Sequence, residues 1–264
     1  MNAQTARRVE GPRLVYYRSQ PDAAFWDAHW HSFHPSEVYQ IAVQGYLGCF
    51  EEPFTHYLPR HGRIIEAGCG LAQHVLALRV RGYDAEGVEW GDATTKAVQA
   101  QFPDLPVRQG DVTQLNVPDA TCHGYISLGV IEHLQAGPEP FLREAYRVLA
   151  PGGVACIAVP YFHPLRRLKA HLGMYQEHPD GLQFYQYAFT PTELAALLRS
   201  HGFHVIDRMA YDSYKGIKDE TPVVRRMFTW PGIGRRWQQW LQQQRYLDAY
   251  LGHMILMVCQ KPDR

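Results

Sequence analysis

The 264-residue sequence carries no excess of charge: Lys plus Arg and Asp plus Glu number 26 each. A balanced chain generates no long-range positive field, which argues against nucleic acid as the partner and favours a small molecule. Cysteine is sparse and scattered. The five cysteines (Cys49, Cys69, Cys122, Cys156, Cys259) include no Cys-x-x-Cys pair, so neither a disulfide framework nor a thiolate metal site is expected, and a reducing cytoplasm fits. Met1–Glu10 lacks the apolar core of a signal peptide and no apolar run approaches membrane-spanning length, so a soluble protein without integral membrane association is expected. No Pro/Gly/Ser-rich linker divides the chain, which reads as one domain over residues 1–264. The totals leave oligomeric state open.

What the sequence does contain is a strand, a glycine turn and a helix in direct succession, Arg63-Ile-Ile-Glu-Ala-Gly-Cys-Gly-Leu-Ala72. The β-branched pair Ile64 and Ile65 reads as the end of a buried strand. Gly68 and Gly70 allow a sharp bend and let a ligand approach bare backbone. The spacing of Val75, Leu76, Leu78 and Val80 predicts a helix over Leu71–Arg81. A carboxylate at the strand end suits a ligand with hydroxyls or an ammonium group and would repel a pyrophosphate.

Glu66-Ala67-Gly68-Cys69-Gly70 resembles motif I of the class I S-adenosylmethionine-dependent methyltransferases, an acid followed by Gly-x-Gly. Further matches follow in order. Tyr83–Glu89 reads as a second strand whose terminal acid, Glu89, stands where the ribose hydroxyls would be held, with Trp90 next to it as an adenine-stacking candidate. Pro106–Val112 supplies a short third strand, and the resemblance implies that Asp111 and the Val112 backbone read the adenine ring. His123–Gly129 is the fourth strand, where the resemblance brings the backbone of Leu128 and Gly129 past the sulfonium. Glu-His-Leu after it is common in small-molecule members, which makes His133 the first candidate base, with His163 or a cap tyrosine behind it. An amphipathic helix over Pro140–Ala150, the stop Pro151-Gly-Gly153 and a buried strand Val154–Val159 complete a match spanning roughly Arg63–Pro160.

The resemblance implies an α/β fold, a seven-stranded, mostly parallel sheet in the order 3-2-1-4-5-7-6 flanked by helices, with an α-helical and aromatic cap. Its parts are N-terminal cap helices (1–60), a cofactor-binding core (61–160), a substrate lid (161–189) and the last part of the sheet (190–264) with a helical insertion (211–252). The cap helices are read around Phe25–Phe33 and Val38–Gly45. Thr190-Pro-Thr-Glu193 predicts a helix start with a capping box, Phe203–Met209 a sixth strand and His253–Cys259 a returning seventh. Trp30, Tyr161, Phe162 and Tyr187 are the candidate acceptor contacts. The implied cofactor is S-adenosyl-L-methionine and the implied reaction is methyl transfer to a small, partly apolar or aromatic acceptor. No metal is expected: His29, His31 and His34 do not share one helical face. The competing readings are a nicotinamide-dependent oxidoreductase, which would need a small residue where Gln73 stands, and a non-catalytic cofactor-binding protein.

Overall fold

The computed structural model describes residues 5–18, 23–31, 35–221, 224, 226 and 233–263. A hairpin of β1 (Thr5–Glu10) and β2 (Arg13–Arg18) is followed by helices α1 (Ala23–His31), α2 (Pro35–Ala42) and α3 (Glu51–Tyr57). Strands and helices then alternate: β3 (Arg63–Ala67), α4 (Gln73–Val80), β4 (Asp84–Glu89), α5 (Asp92–Gln101), β5 (Val107–Gln109), β6 (Cys122–Leu128), α6 (Glu139–Val148) and β7 (Leu149–Pro160). Next come α7 (Pro164–His171), β8 (Gln183–Ala188), α8 (Pro191–Ser200), β9 (His204–Tyr211) and α9 (Ser213–Glu220). Helices α10 (Ile233–Gln243) and α11 (Arg245–Leu251) precede β10 (Met254–Gln260).

The central sheet has the order β5-β4-β3-β6-β7-β10-β9. Numbered from β3, this is the expected 3-2-1-4-5-7-6, with the last strand, β10, antiparallel to both of its neighbours. Burial explains why the strands read as continuous apolar runs. Ile64 and Ile65 are both fully buried but belong to different hydrophobic clusters, one on each face of the sheet. A sheet covered by helices on both sides requires that pattern. Parallel strands then end on one edge, so Ala67, Glu89, Gln109 and Leu128 bring their following turns to the same side of the molecule.

The cap differs from the expectation of helices alone. β1 and β2 pair antiparallel through a two-residue turn with Gly11 at φ +56°, a conformation in which glycine has no Cβ penalty. β8, in the segment expected as a substrate lid, pairs with β2, so three strands form a second sheet in the order β1-β2-β8. Thr190 accepts the Glu193 N–H at 3.2 Å as an N-cap, yet the Glu193 carboxylate turns to Arg13 Nε of β2 at 2.5 Å, so the reciprocal half of a capping box is replaced by a tie to the hairpin.

A buried ionic cluster fixes the cap segments to one another. Glu220 Oε1 accepts from Arg166 Nε and Arg7 Nη1, both at 2.9 Å, and Oε2 accepts from Lys169 Nζ at 2.7 Å and the Tyr175 hydroxyl at 2.5 Å. Burial would raise the Glu220 carboxyl, but these donors and the charges of Arg166 and Arg7 hold it down to about 2. Arg166 also donates to the Tyr161 carbonyl at 2.7 Å, which anchors α7 to the end of β7. Phe33, read into the first cap helix, lies outside the described residues.

Candidate cofactor and acceptor site

At the end of β3, Glu66 is buried, and its Oε1 lies 3.1 Å from His74 Nδ1 on the first turn of α4. The other oxygen, Oε2, is buried with no partner among the described residues. An orphaned carboxylate oxygen is costly unless a ligand satisfies it, and an ammonium group does so with charge. The turn beside it has no room for side chains. A Cβ on Gly68 (φ +77°) would stand 2.5 Å from Val130 Cγ2, and one on Gly70 (φ +52°) 2.5 Å from the indole of Trp30.

Glu89, at the tip of β4, is tied into the same turn. Its Oε2 accepts the Gly70 N–H at 2.8 Å and its Oε1 the Gly91 N–H at 2.9 Å. Burial raises this carboxyl above the usual range, opposed by the backbone N–H bonds of Gly91, Gly70 and Trp90. Each oxygen retains a lone pair for a further donor, so two vicinal hydroxyls fit. Trp90 is 55% exposed. Asp111 is exposed, and its Oδ1 accepts both the N–H and the hydroxyl of Thr113 at 2.8 and 2.7 Å, an Asx turn that leaves Oδ2 outward. Val112 is buried beside it, and Gly110 N–H bonds the Glu89 carbonyl at 2.9 Å, which fixes the spacing of the two acids.

On the other side of β3, Leu128 is half-buried and Gly129 (φ +73°) donates its N–H to Ala158 of β7 at 2.9 Å. The chain then makes a single turn of 3₁₀ helix, Ile131–His133. His133 Nδ1 lies 2.8 Å from the Tyr185 carbonyl of β8, so Nδ1 carries the proton and Nε2 the lone pair. That nitrogen is 3.7 Å from Glu132 Oε1. Burial holds the imidazole down at about 4, and burial lifts the Glu132 carboxyl to about 8. Glu132 Oε2 is a second orphaned buried oxygen, and Oε1 stands 3.6 Å from where a Gly129 Cβ would be. In the sequence Glu132 stands out only as the first member of the Glu-His-Leu triplet. Its neighbour in the triplet was the available signal.

Helix α1 lies over the site. Trp26 meets the His133 ring edge-on at 4.6 Å, Tyr185 approaches the same ring at 5.0 Å, and Trp30 covers Gly70. Helix α5 starts after Gly91, which has no side chain to cap it, and Asp27 of α1 supplies the cap by accepting the Thr94 N–H and hydroxyl at 3.0 and 2.7 Å. The other three aromatic candidates are placed differently. The Tyr161 hydroxyl donates to the Ala249 carbonyl at 3.0 Å, and that of Tyr187 to the Gln135 carbonyl at 2.8 Å. Phe162 packs with Leu14, Tyr175 and Ala188 in a satellite core under the small sheet, away from the glycine turn. His163 Nδ1 accepts the Arg166 N–H at 3.3 Å as the N-cap of α7, which commits that nitrogen to the helix start. Among the described residues no group of three His, Cys, Asp or Glu is arranged to hold a metal, and His34 and the side chain of His31 lie outside them. No helix among the described residues is long and apolar enough to cross a membrane.

Residues 65–157 match the model of the methyltransferase domain family. A probable S-adenosylmethionine-dependent methyltransferase of Mycolicibacterium smegmatis is 30% identical over 146 residues, 55% of this chain and 53% of that one. The 2-methyl-6-phytyl-1,4-hydroquinone methyltransferase 1 of Oryza sativa is 28% identical over 200 residues, covering 70% of this chain and 57% of that one. The chain thus spans about half the length of these curated relatives. Among solved structures, a Burkholderia thailandensis 1,6-didemethyltoxoflavin-N1-methyltransferase with bound S-adenosylhomocysteine superposes with a TM-score of 0.56 at 17% identity, over 98% of this chain and all of that one, which speaks for the fold. Residues 65–157 thus match a methyltransferase domain, and the strand order and these likenesses support a class I, Rossmann-like S-adenosylmethionine-dependent methyltransferase fold.

Proposed function

We propose that this protein transfers a methyl group from S-adenosylmethionine to a small, partly apolar or aromatic acceptor. The observation that carries the reading is the pair of buried carboxylates, Glu66 with an orphaned oxygen and Glu89 bound to the turn it faces, at adjacent strand tips. In this assignment Glu66 receives the ammonium of the methionine end, and the backbone of Ala67, Gly68, Cys69 and Gly70 forms the floor. Glu89 holds the ribose hydroxyls, Trp90 covers the adenine and Asp111 with the Val112 N–H reads its edge. A pyrophosphate would meet Glu66 without a compensating cation, which disfavours a dinucleotide.

When bound, the cofactor supplies a methyl already activated by its sulfonium, so the chain's own work is to align the acceptor, exclude water and take up a proton where the acceptor releases one. Leu128 and Gly129 border the reaction position. His133 is the base: its protonated Nδ1 is fixed by the Tyr185 carbonyl, which leaves the Nε2 lone pair to receive the acceptor's proton. Glu132 lies 3.7 Å from that nitrogen, and burial keeps its carboxyl protonated at neutral pH. Trp26 and Tyr185 give the base an apolar, aromatic surround that suits a planar acceptor. The rice relative's name specifies a hydroquinone acceptor, which agrees in chemical class. All five cysteines are free, in keeping with a reducing compartment such as the cytoplasm.

The test is incubation with methyl-labelled S-adenosylmethionine and a panel of phenols, hydroquinones and aromatic amines, with detection of labelled product and S-adenosylhomocysteine. Turnover that falls on the order of 10²–10⁴-fold in His133→Ala, with cofactor affinity kept, is the expected result. Cofactor binding without transfer to any acceptor would favour a non-catalytic role.

A further inference from the structure

A cavity of about 810 Å³ lies between α3 and the edge strand β9, closed at one end by the start of α9 and by α11. Its size falls in the range of small-ligand sites, and two contacts bridge its walls: Tyr57 donates to Asp207 Oδ2 at 2.9 Å, and Arg245 pairs with Glu52 at 3.2 Å. Its inner residue, Tyr211, packs on the same hydrophobic cluster as Leu128. Tyr211, which lines the cavity, packs edge-on against Phe50 at 5.2 Å. Phe50 meets His74 at 5.3 Å, and His74 holds Glu66. Tyr211 also pairs across the sheet with Met254, whose Cε lies 3.8 Å from where a Gly129 Cβ would be. A relay of three rings, Tyr211, Phe50 and His74, therefore links this cavity to Glu66, and Met254 links it to the Gly129 turn.

We infer that this cavity is the acceptor chamber, that it takes an aromatic ring bearing an amine, and that Tyr211 is its inner wall. The lining supplies the chemistry. Tyr46, Tyr57, Tyr211 and Tyr214 offer ring faces and hydroxyls. Four carboxylates, Glu52, Asp207, Asp212 and Asp248, face only two arginines, Arg208 and Arg245, an imbalance that favours a cation over an anion of the same shape. Two of the acids, Asp212 and Asp248, sit at the α9 end, where they cap Lys215 N and Ser213 N at 3.1 and 2.8 Å. The aromatic ring is held by the tyrosines, and the reacting group passes Tyr211 toward Glu132 and His133. This deepens the methyltransferase reading and rests on it.

Three isosteric probes that differ in charge test it: tyramine, tyrosol and 4-hydroxyphenylacetate, each titrated into the full chain saturated with S-adenosylhomocysteine. The expected order of affinity is tyramine, then tyrosol, then the anion. Cys49→Trp, which fills the chamber, is expected to weaken tyramine at least tenfold while the affinity for S-adenosylhomocysteine stays within about twofold. Should that variant fail to fold, the folded wild type is alkylated with N-ethylmaleimide instead, since Cys49 is exposed and the other four cysteines are buried. Alkylation should give the same loss. Tyramine binding unchanged by both blocks, no binding of any probe at millimolar concentration, or the anion binding tightest would each overturn the chamber while leaving cofactor binding intact. Failure of S-adenosylhomocysteine to bind the wild type would instead remove the methyltransferase reading and the chamber with it.

Discussion

The cofactor edge and the cap of this protein are built by opposite means. At the cofactor edge, Glu66, Glu89 and Asp111 stand at or just past the ends of successive strands and are held by residues close in the chain: Glu66 by His74 at the start of α4, Glu89 by Gly70 and Gly91, and Asp111 by Thr113. The sheet that aligns them is apolar on both faces. In the cap, β1, α7, the Tyr175 loop and α9 come from parts of the chain up to 213 residues apart and are joined at one buried carboxylate, Glu220. A parallel sheet makes a site from local strand–turn–helix units. A cap made from distant segments needs a polar knot, which specifies how they meet at the cost of burying charge.

The comparison breaks first at the knot. Glu220→Ala leaves Arg166, whose side chain is 1% exposed, without its counter-ion. A loss of about 3–5 kcal/mol in chemical denaturation is expected, with the affinity for S-adenosylhomocysteine of the folded fraction changed little. An equal loss of cofactor affinity would show that the two regions are not separable. The sign with pH follows from the depressed carboxyl. The Glu220 contribution is complete above its ordinary value of 4.5 and is lost as pH falls toward about 2, so wild type and variant converge in acid.

Next, Glu89→Ala removes the proposed ribose acceptor and the clasp on Gly70 and Gly91. Calorimetry should show S-adenosylhomocysteine binding weaker by on the order of 2–4 kcal/mol. Asp111→Ala, which loses an exposed turn, should cost far less. Equal effects would mean that the edge is held by the adenine end.

The buried Glu132 gives a sharper test of the boundary between the regions. Its carboxyl is raised from 4.5 to about 8, so the stability it allows is complete below 4.5 and is lost as pH rises through 8. Between roughly pH 5 and 8 the wild type should lose stability with a slope approaching about 1.4 kcal/mol per pH unit from this group, and Glu132→Gln should flatten that slope. Parallel slopes would show that Glu132 is solvated. The smallest effect is expected of Asp27→Ala: about 1 kcal/mol for the lost cap on α5, and faster release of bound S-adenosylhomocysteine in stopped flow as α1 loosens. Unchanged release would deny α1 a covering role.

The same contrast explains what could be read in the sequence. Glu66, Glu89 and Asp111 were legible because strand, turn and acid follow one another within a few residues, and the sheet order followed from the alternation of elements. The β1–β2 hairpin was not, because its pairing with β8 joins Tyr16 to Gln186 and leaves no local period to detect. Phe162 was read as an acceptor contact from its position after a central strand, but a satellite core claims it. Asp27 bonds to Thr94 from 67 residues away, which spacing alone does not reveal.

The most direct test of the central claim is calorimetric titration of the wild-type chain with S-adenosylhomocysteine, with NADH as the control ligand. One-site binding of the nucleoside and none of NADH is expected from a buried acid placed where a pyrophosphate would lie. NADH binding with no response to S-adenosylhomocysteine would contradict the assignment of Glu66 and Glu89, and with it the proposed reaction.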